Sequence, residues 1–224
     1  MESDVNYRRL QSDWFMRRFD WTMTYRRDAD VPLLYLDAMV ATRLYDPSRS
    51  KEPGCLVAFF ARNGADRCGR GRYMVELMKH IDVHAFGPFL RNRPLPDDRR
   101  RETKLEIISR YKFTIAFENS ISPDYVTEKI YDALIAGSIP LYRGALNVDE
   151  FMPADHCLIN GDDFTGPAEL AAYLHRLAAD QKAYDAYLGW KQKPFRPAFV
   201  NLIESQGEPP LVRLCHAMLN RRSF

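Results

Sequence analysis

A short span near the middle of the chain sets an amide, a phenol, a carboxylate and an ammonium close together: Asn119, Tyr125, Glu128 and Lys129. Glu128 and Lys129 fall where a helix is predicted to begin. A helix start carries free N–H groups and partial positive charge, so it attracts phosphate, and Lys129 adds a full charge there. Glu128 would repel phosphate but can accept hydrogen bonds from sugar hydroxyls. The pair therefore suits a ligand that is anionic at one end and rich in hydroxyls at the other, as a sugar nucleotide is. The same residues would also serve as a helix cap with a solvated Glu–Lys pair, and spacing alone does not choose between the two.

The elements that must position these groups can be read around them. Phe113 to Phe117 is a short run of apolar, β-branched and aromatic residues, as in a buried strand, and Glu118-Asn119-Ser120 puts polar groups at its end. Pro123-Asp124 marks a turn. Val126, Ile130 and Leu134 recur at helical spacing, with Thr127 or Asp124 as cap and Gly137 as stop. Ile139 to Tyr142 is a second strand, ended by Arg143-Gly144. Strand, helix and strand make one βαβ unit, and parallel βαβ units bind ligands in crevices at their strands' carboxyl ends.

The flanks extend the same alternation. PSRSKEPG, from Pro47 to Gly54, reads as a linker; Cys55 to Ala61 as a strand; Arg62 to Gly71 as a loop; Arg70 to Lys79 as a helix; and Ile81 to Phe86 as a strand. A polar loop follows to Arg101, with a basic run at Arg99-Arg100-Arg101 to which no role is assigned. A helix is expected over Glu102 to Arg110. Beyond the central unit come a short helix at Asn147 to Phe151, a strand at Cys157 to Ile159 and a turn at Gly161-Asp162-Asp163-Phe164. Pro167 opens a helix at its favoured first position. Ala183 to Trp190 is helical, residues 194–210 with their four prolines are expected to be irregular, and Leu211 to Asn220 forms a last helix. The fold class implied is α/β: a Rossmann-like parallel sheet with helices on both faces. The loop at 62–71 contains no GxGxxG or P-loop pattern, so an ordinary dinucleotide or ATP site is not expected.

Composition narrows the possibilities further. With 46% hydrophobic residues and 12% aromatics, a core can form across 224 residues. Lys plus Arg is 32 against 30 for Asp plus Glu, a balance unlike that of a general nucleic-acid binder. No apolar run approaches a membrane span, and the polar N-terminus MESDVNYRR is no signal peptide. Cys55, Cys68, Cys157 and Cys215 show no CxxC spacing, so no zinc site is expected; Cys55 and Cys157 read as buried thiols, and Cys68 and Cys215 as bridged or free.

The central residues also carry a resemblance. FENS, then DYVTEK, then a small-residue turn and IPLYRG resemble the signature of the α1,3-fucosyltransferases, glycosyltransferase family 10. The leader segment FDWTMTYRRDAD is similar to a segment that follows the family's first domain. The likeness covers about residues 19–192. RGRYMVELMKHIDVHAFG, IPLYRG and LGWKQ look nearer the divergent animal subgroup, associated with the early secretory pathway, than the Lewis-antigen enzymes.

The resemblance implies a GT-B arrangement of which this chain is the donor half. Residues 1–54 would be a leader, the remnant of an acceptor-side domain plus linker; residues 55–205 a GDP-fucose-binding Rossmann-like domain; residues 206–224 a C-terminal helix. Arg70, by Arg70-x-Arg72-Tyr73-x-x-Glu76-Leu77, would grip the donor's pyrophosphate, with Arg72 the alternative register. Asn119, Tyr125, Glu128 and Lys129 would complete the donor site. Glu2, in Glu2-Ser3-Asp4 where the family reads Glu-Ser-Pro, would be the catalytic base, with no preceding domain to hold it rigid. Glu2, Arg70, Glu128 and Lys129 are thus the expected catalytic set. No metal or other cofactor is expected, since Lys and Arg can neutralise the leaving group, and Asp162 and Asp163 read as turn and capping residues. Thr114 stands where the family has a tyrosine. The implied partners are GDP-fucose and a glycan or glycoprotein acceptor, and the implied compartment for the full-length protein is the Golgi or endoplasmic reticulum lumen. The implied reaction is inverting α1,3-fucosyl transfer. The alternatives are a donor-binding module that transfers nothing and a GT-B enzyme using another nucleotide.

Overall fold

The computed structural model describes residues 1–64, 66–95 and 98–221. Parts of two expected loops, at residue 65 and at residues 96–97, and the end of the expected C-terminal helix, at residues 222–224, lie outside the described residues.

In chain order the elements are α1 (Asp13–Met16), β1 (Met23–Thr24), β2 (Val31–Pro32), α2 (Ala38–Arg43), β3 (Val57–Phe59), α3 (Arg70–Leu77), β4 (Val83–Ala85), α4 (Arg101–Ile108), β5 (Phe113–Phe117), α5 (Glu128–Ile135), β6 (Ile139–Arg143), β7 (Ile159–Asn160), α6 (Pro167–Ala179), α7 (Gln181–Ala186), α8 (Pro197–Glu204) and α9 (Pro210–Arg221). Strands β3 to β7 form one parallel sheet in the order β4-β3-β5-β6-β7. The chain moves outward from β3 to β4, then returns past β3 to β5. The direction of winding thus reverses between β3 and β5, and in open α/β sheets the crevice at the carboxyl ends of such a pair is where ligands bind.

Period-two alternation divides the sheet's side chains between two cores. Phe113, Ile115 and Phe117 of β5 join Val57 and Phe59 of β3 in a core completed by Met74 and Leu77 of α3 and Leu170 and Leu174 of α6. Ala58 and Ala116 belong to the other core, with Ile130 and Leu134 of α5 and Leu105 of α4. Each fully buried Leu or Ile contributes roughly 1.5–3 kcal/mol by leaving water. Thr114 lies on the α5 side inside the sheet, its hydroxyl 2.7 Å from that of Ser138. Gly137 closes α5 at φ +64°, where a Cβ would stand 2.1 Å from Ser48 Oγ.

Several expectations change. The alternating strand expected over residues 19–28 shrinks to the two residues of β1, paired in parallel with β2. Residues 194–210 are not irregular throughout: Pro197 sits in the first turn of α8, where it lacks no hydrogen bond, and Phe199 is fully buried. The basic run is partly structural, because Arg101 Nε and Lys104 Nζ each donate at 2.8 Å to the buried Asp132 of α5. Leu36, Val40 and Leu44, from within residues 1–54, are buried in the same core as Ile130. All four cysteines are free thiols. Among the described residues no helix is long and apolar enough to cross a membrane.

Candidate functional site

Alternation along β5 decides where the site's acid goes. Glu118 is the next residue after the strand, on the same side as Ala116, and so it projects beneath the start of α5. Its side chain is fully buried. Oε1 accepts the Thr127 N–H at 2.8 Å; Oε2 accepts the Thr127 hydroxyl at 2.9 Å and lies 3.0 Å from Lys129 Nζ. The ammonium also donates to Thr127 Oγ1 at 2.8 Å and to Glu128 Oε1 at 3.4 Å. Burial is the largest influence and leaves the Glu118 carboxyl raised, although the Lys129 ammonium and then the Thr127 donors pull it down. Geometry nonetheless favours the charged form. Every neighbour donates and both oxygens accept, which is the pattern of an ionised carboxylate paired with an ammonium. Burial would lower the Lys129 amine, but Glu118 and then Glu128 outweigh it and hold its pKa raised. Glu128 is lowered, against its own burial, chiefly by Lys129 and then Lys104. Gly144 makes the room: a Cβ there would stand 2.7 Å from Glu118 Cγ and 2.4 Å from the Tyr142 hydroxyl.

Arg70 opens α3 on the opposite face of the sheet from α5, yet its guanidinium spans the crevice. Nη2 donates to the Asn63 carbonyl, beyond β3, at 2.7 Å; Nη1 donates to the Phe117 carbonyl, at the end of β5, at 3.4 Å. The residue is 4% exposed. Asp66 caps the helix, accepting the Arg70 and Gly71 N–H groups at 2.8 and 2.9 Å. Arg70 and Lys129 therefore approach the end of β5 from its two sides, one through the Phe117 carbonyl and the other through the Glu118 carboxylate. Arg72, the alternative register, lies two residues into α3.

The leader comes to the same place. Glu2 is exposed, and its Oε2 accepts from Asn119 Nδ2 at 3.1 Å and from Asn6 Nδ2 at 3.0 Å. The expectation that nothing would hold residue 2 is corrected here. Ser3 is fully buried, and Asp4 Oδ1 accepts from the Tyr25 hydroxyl at 2.7 Å and from Ser122 Oγ at 2.9 Å. Tyr25 packs edge-on against Tyr125, ring centres 4.9 Å apart. Arg27 adds a second strap, donating through N and Nε to Asp124, each at 3.0 Å. Asp124 holds a left-handed backbone (φ +64°) and receives Asn147 Nδ2 at 2.9 Å. Tyr35, also from the leader, donates its hydroxyl to the Met1 carbonyl. Burial and then the charge of Glu128 push its phenol up to about 12.

Three buried polar atoms at this end of the sheet lack a hydrogen-bond partner among the described residues: Arg70 Nε, Asn119 Oδ1 and Ser120 Oγ. Buried polar atoms are rarely left unpaired, and a cluster of them marks a place that a ligand or water completes. The other such atoms belong to Trp190, Arg196 and Arg213. Of the expected residues, Glu2, Asn119, Glu128 and Lys129 are gathered around the end of β5 with Arg70, and Tyr125 lies buried behind them. Asp162 sits in a short turn and pairs with Arg143 at 2.7 Å. The sequence reading assigned nothing to Glu118, Asp4, Tyr25 or Tyr35. For Glu118 the signal was only partial: period-two alternation sets it on the side of Ala116, but the burial that makes it a partner of Lys129 comes from the fold.

The site thus presents two cations, a carboxylate and a side-chain amide around the end of β5. Comparison with known proteins gives the family. The family model "Glycosyltransferase family 10 (fucosyltransferase) C-term" matches residues 49–223. The chain is 34% identical over 204 residues to α-(1,3)-fucosyltransferase B of Drosophila melanogaster, covering 83% of this chain and 46% of the relative. It is 32% identical over 207 residues to human GDP-fucose protein O-fucosyltransferase 3, covering 86% and 43%. The crystal structure of an α1,3-fucosyltransferase with GDP-fucose superposes with a TM-score of 0.54 at 25% identity, over 71% of this chain and 47% of that one. The chain thus spans less than half the length of these relatives.

Proposed function

Since the chain belongs to glycosyltransferase family 10, the fucosyltransferases, we propose that it forms the GDP-fucose-binding half of an inverting fucosyltransferase acting on a glycan or glycoprotein hydroxyl, with α1,3 linkage. The observation that carries this reading is the convergence of Arg70, Lys129 and the partnerless Asn119 Oδ1 on the end of β5, with Glu2 bonded to the same Asn119.

In the reaction an acceptor oxygen forms a bond to the fucose anomeric carbon from the face opposite GDP. The bond from that carbon to the β-phosphate oxygen breaks, and GDP leaves with the electron pair. The Glu2 carboxylate takes the acceptor proton. Arg70 and Lys129 stabilise the charge growing on the diphosphate; fixed charges aimed at developing charge are the largest contributors to such catalysis, and losing one typically costs about 3 kcal/mol. Glu128 accepts from fucose or ribose hydroxyls, or offsets positive charge on the sugar. The reaction as drawn needs no divalent ion, and membership of the family supports the Golgi or endoplasmic reticulum lumen as the compartment of the full-length protein.

Calorimetric titration of the chain with GDP, UDP and GDP-fucose, with and without magnesium or manganese, tests the reading beside a transfer assay on glycan and peptide acceptors. Metal-independent binding of GDP, in preference to UDP, is expected. A strict metal requirement, or a preference for UDP, overturns it. Binding of GDP-fucose without transfer would reduce the chain to a donor-binding module.

A further inference from the structure

The assignment of Lys129 to the diphosphate leaves one question open: what holds an ammonium in an almost closed position, charged and aimed, before any phosphate arrives. We infer that Glu118 is the positioning residue that does this, and that it acts on the donor only through Lys129 and Thr127. The inference rests on the proposed donor site, since Lys129 is taken there to contact the diphosphate.

The geometry carries it. Glu118 is fully buried and makes no contact toward the crevice with its own oxygens; all are used on Thr127 and Lys129. Thr127 is the N-cap of α5, its hydroxyl accepting the Lys129 N–H at 3.5 Å and the ammonium at 2.8 Å. One carboxylate therefore orients both the first turn of the helix and the side chain that projects from it. Glu128 cannot substitute for it: it is half exposed and stands 3.4 Å from the ammonium, on the rim rather than beneath it. A buried ammonium without a counter-charge lowers its pKa and sheds its proton. Glu118 prevents this; the other ionisable groups facing the pair are Glu128, itself influenced by Lys104, and the phenols of Tyr35, Tyr125, Tyr131 and Tyr142. When a diphosphate binds, the ammonium exchanges its hydrogen bond to the rim carboxylate Glu128 for phosphate oxygens and remains anchored to Glu118.

The test is the pH profile of GDP affinity, followed by calorimetry between about pH 7 and 8.5, below the ordinary lysine pKa of about 10.4 and below the range in which the guanine of GDP loses its own proton. The unaltered chain should bind with constant affinity across that window. Glu118→Gln keeps the shape and an acceptor but removes the charge. It should bind about tenfold more weakly, the loss of one charge-assisted hydrogen bond, and should weaken further as pH rises. Glu118→Asp keeps the charge with a shorter reach, so it should lose affinity yet keep a flat profile. A Glu118→Gln chain with unaltered affinity and a flat profile overturns the inference, because a helix cap alone predicts that result. If Glu118→Gln does not fold, Glu118→Asp binding as tightly as the parent chain overturns it, and so does a profile of the parent chain that falls within the window. Lys129→Met separates the two readings: if it binds GDP as the parent does, the diphosphate assignment fails, whereas weakened binding there with an indifferent Glu118→Gln sinks only the role of Glu118.

Discussion

The two helices that open onto the crevice present their cations in different ways. At α5 the ammonium of Lys129 rests on a buried carboxylate and is balanced by a second one at the rim. At α3 the guanidinium of Arg70 is held by two backbone carbonyls, and the acid nearby, Asp66, is spent on capping the helix. One cation is held by charge and the other by neutral dipoles. The contrast shows that a helix start need not be the anion site that its free N–H groups suggest. Asp66 already takes the Arg70 and Gly71 N–H groups of α3, and Thr127 takes that of Lys129 in α5. The full charges that a diphosphate would meet are those of the two side chains.

Breaking each arrangement should therefore have a different effect. The largest is expected for Lys129→Ala, which strands the Glu118 carboxylate in the interior. Removing one partner of a buried ion pair costs about 3–5 kcal/mol, to be read by urea unfolding. Pairing Glu118→Gln with Lys129→Met should restore much of that stability without restoring GDP binding. A loss below about 1 kcal/mol for Lys129→Ala would place this pair with exposed ones and erase the contrast. Arg70→Met should cost less, about 1–3 kcal/mol, because it leaves carbonyls rather than a charge without partners. Its GDP affinity should fall as well, and equal unfolding losses at both positions would show that the two cations are held alike.

Asp66→Asn should come next, at about 1 kcal/mol, the usual size of an N-cap. Burial raises the Asp66 carboxyl, but the Gly71 and Arg70 N–H groups outweigh it and leave its pKa lowered. A lowered folded pKa means that the stabilisation is present above the ordinary aspartate value and is lost as pH falls through the folded one. Acid unfolding curves for the parent and Asp66→Asn chains should therefore begin to approach each other as pH falls below about 3.9 and meet only below the lowered folded value. The smallest effect is expected for Asp162→Ala. Its pair with Arg143 is partly exposed, and such a pair contributes about 0–1 kcal/mol. That variant sets the floor against which the other three are measured.

The central unit was largely legible because its determinants are local. The apolar run of β5, the helical spacing of Val126, Ile130 and Leu134, and Gly137 at a positive φ each report on their own few residues, and β5 coincides with its expected span. The leader was not legible. Asp4, Tyr25 and Ser122 lie far apart in the chain, and nothing in their types or spacing announces that three hydroxyl and carboxyl groups will meet. The prolines of 194–210 misled because proline is excluded from helix interiors but favoured at helix starts, and Pro197 is at a start.

Alone, the amino-acid order settled the alternation of strand and helix, the family, and which cations and acids gather near residue 119. It could do so because side-chain period, capping and backbone freedom act over a few residues. Which of those groups share a bond was decided only by the tertiary structure. The strand order brought Arg70 to the carbonyl of Phe117, the turn from β5 into α5 put Glu118 beneath Lys129, and the docking of the leader brought Glu2 to Asn119. Burial then converted proximity into commitment, since a charge removed from water must keep the partner that the fold has placed beside it.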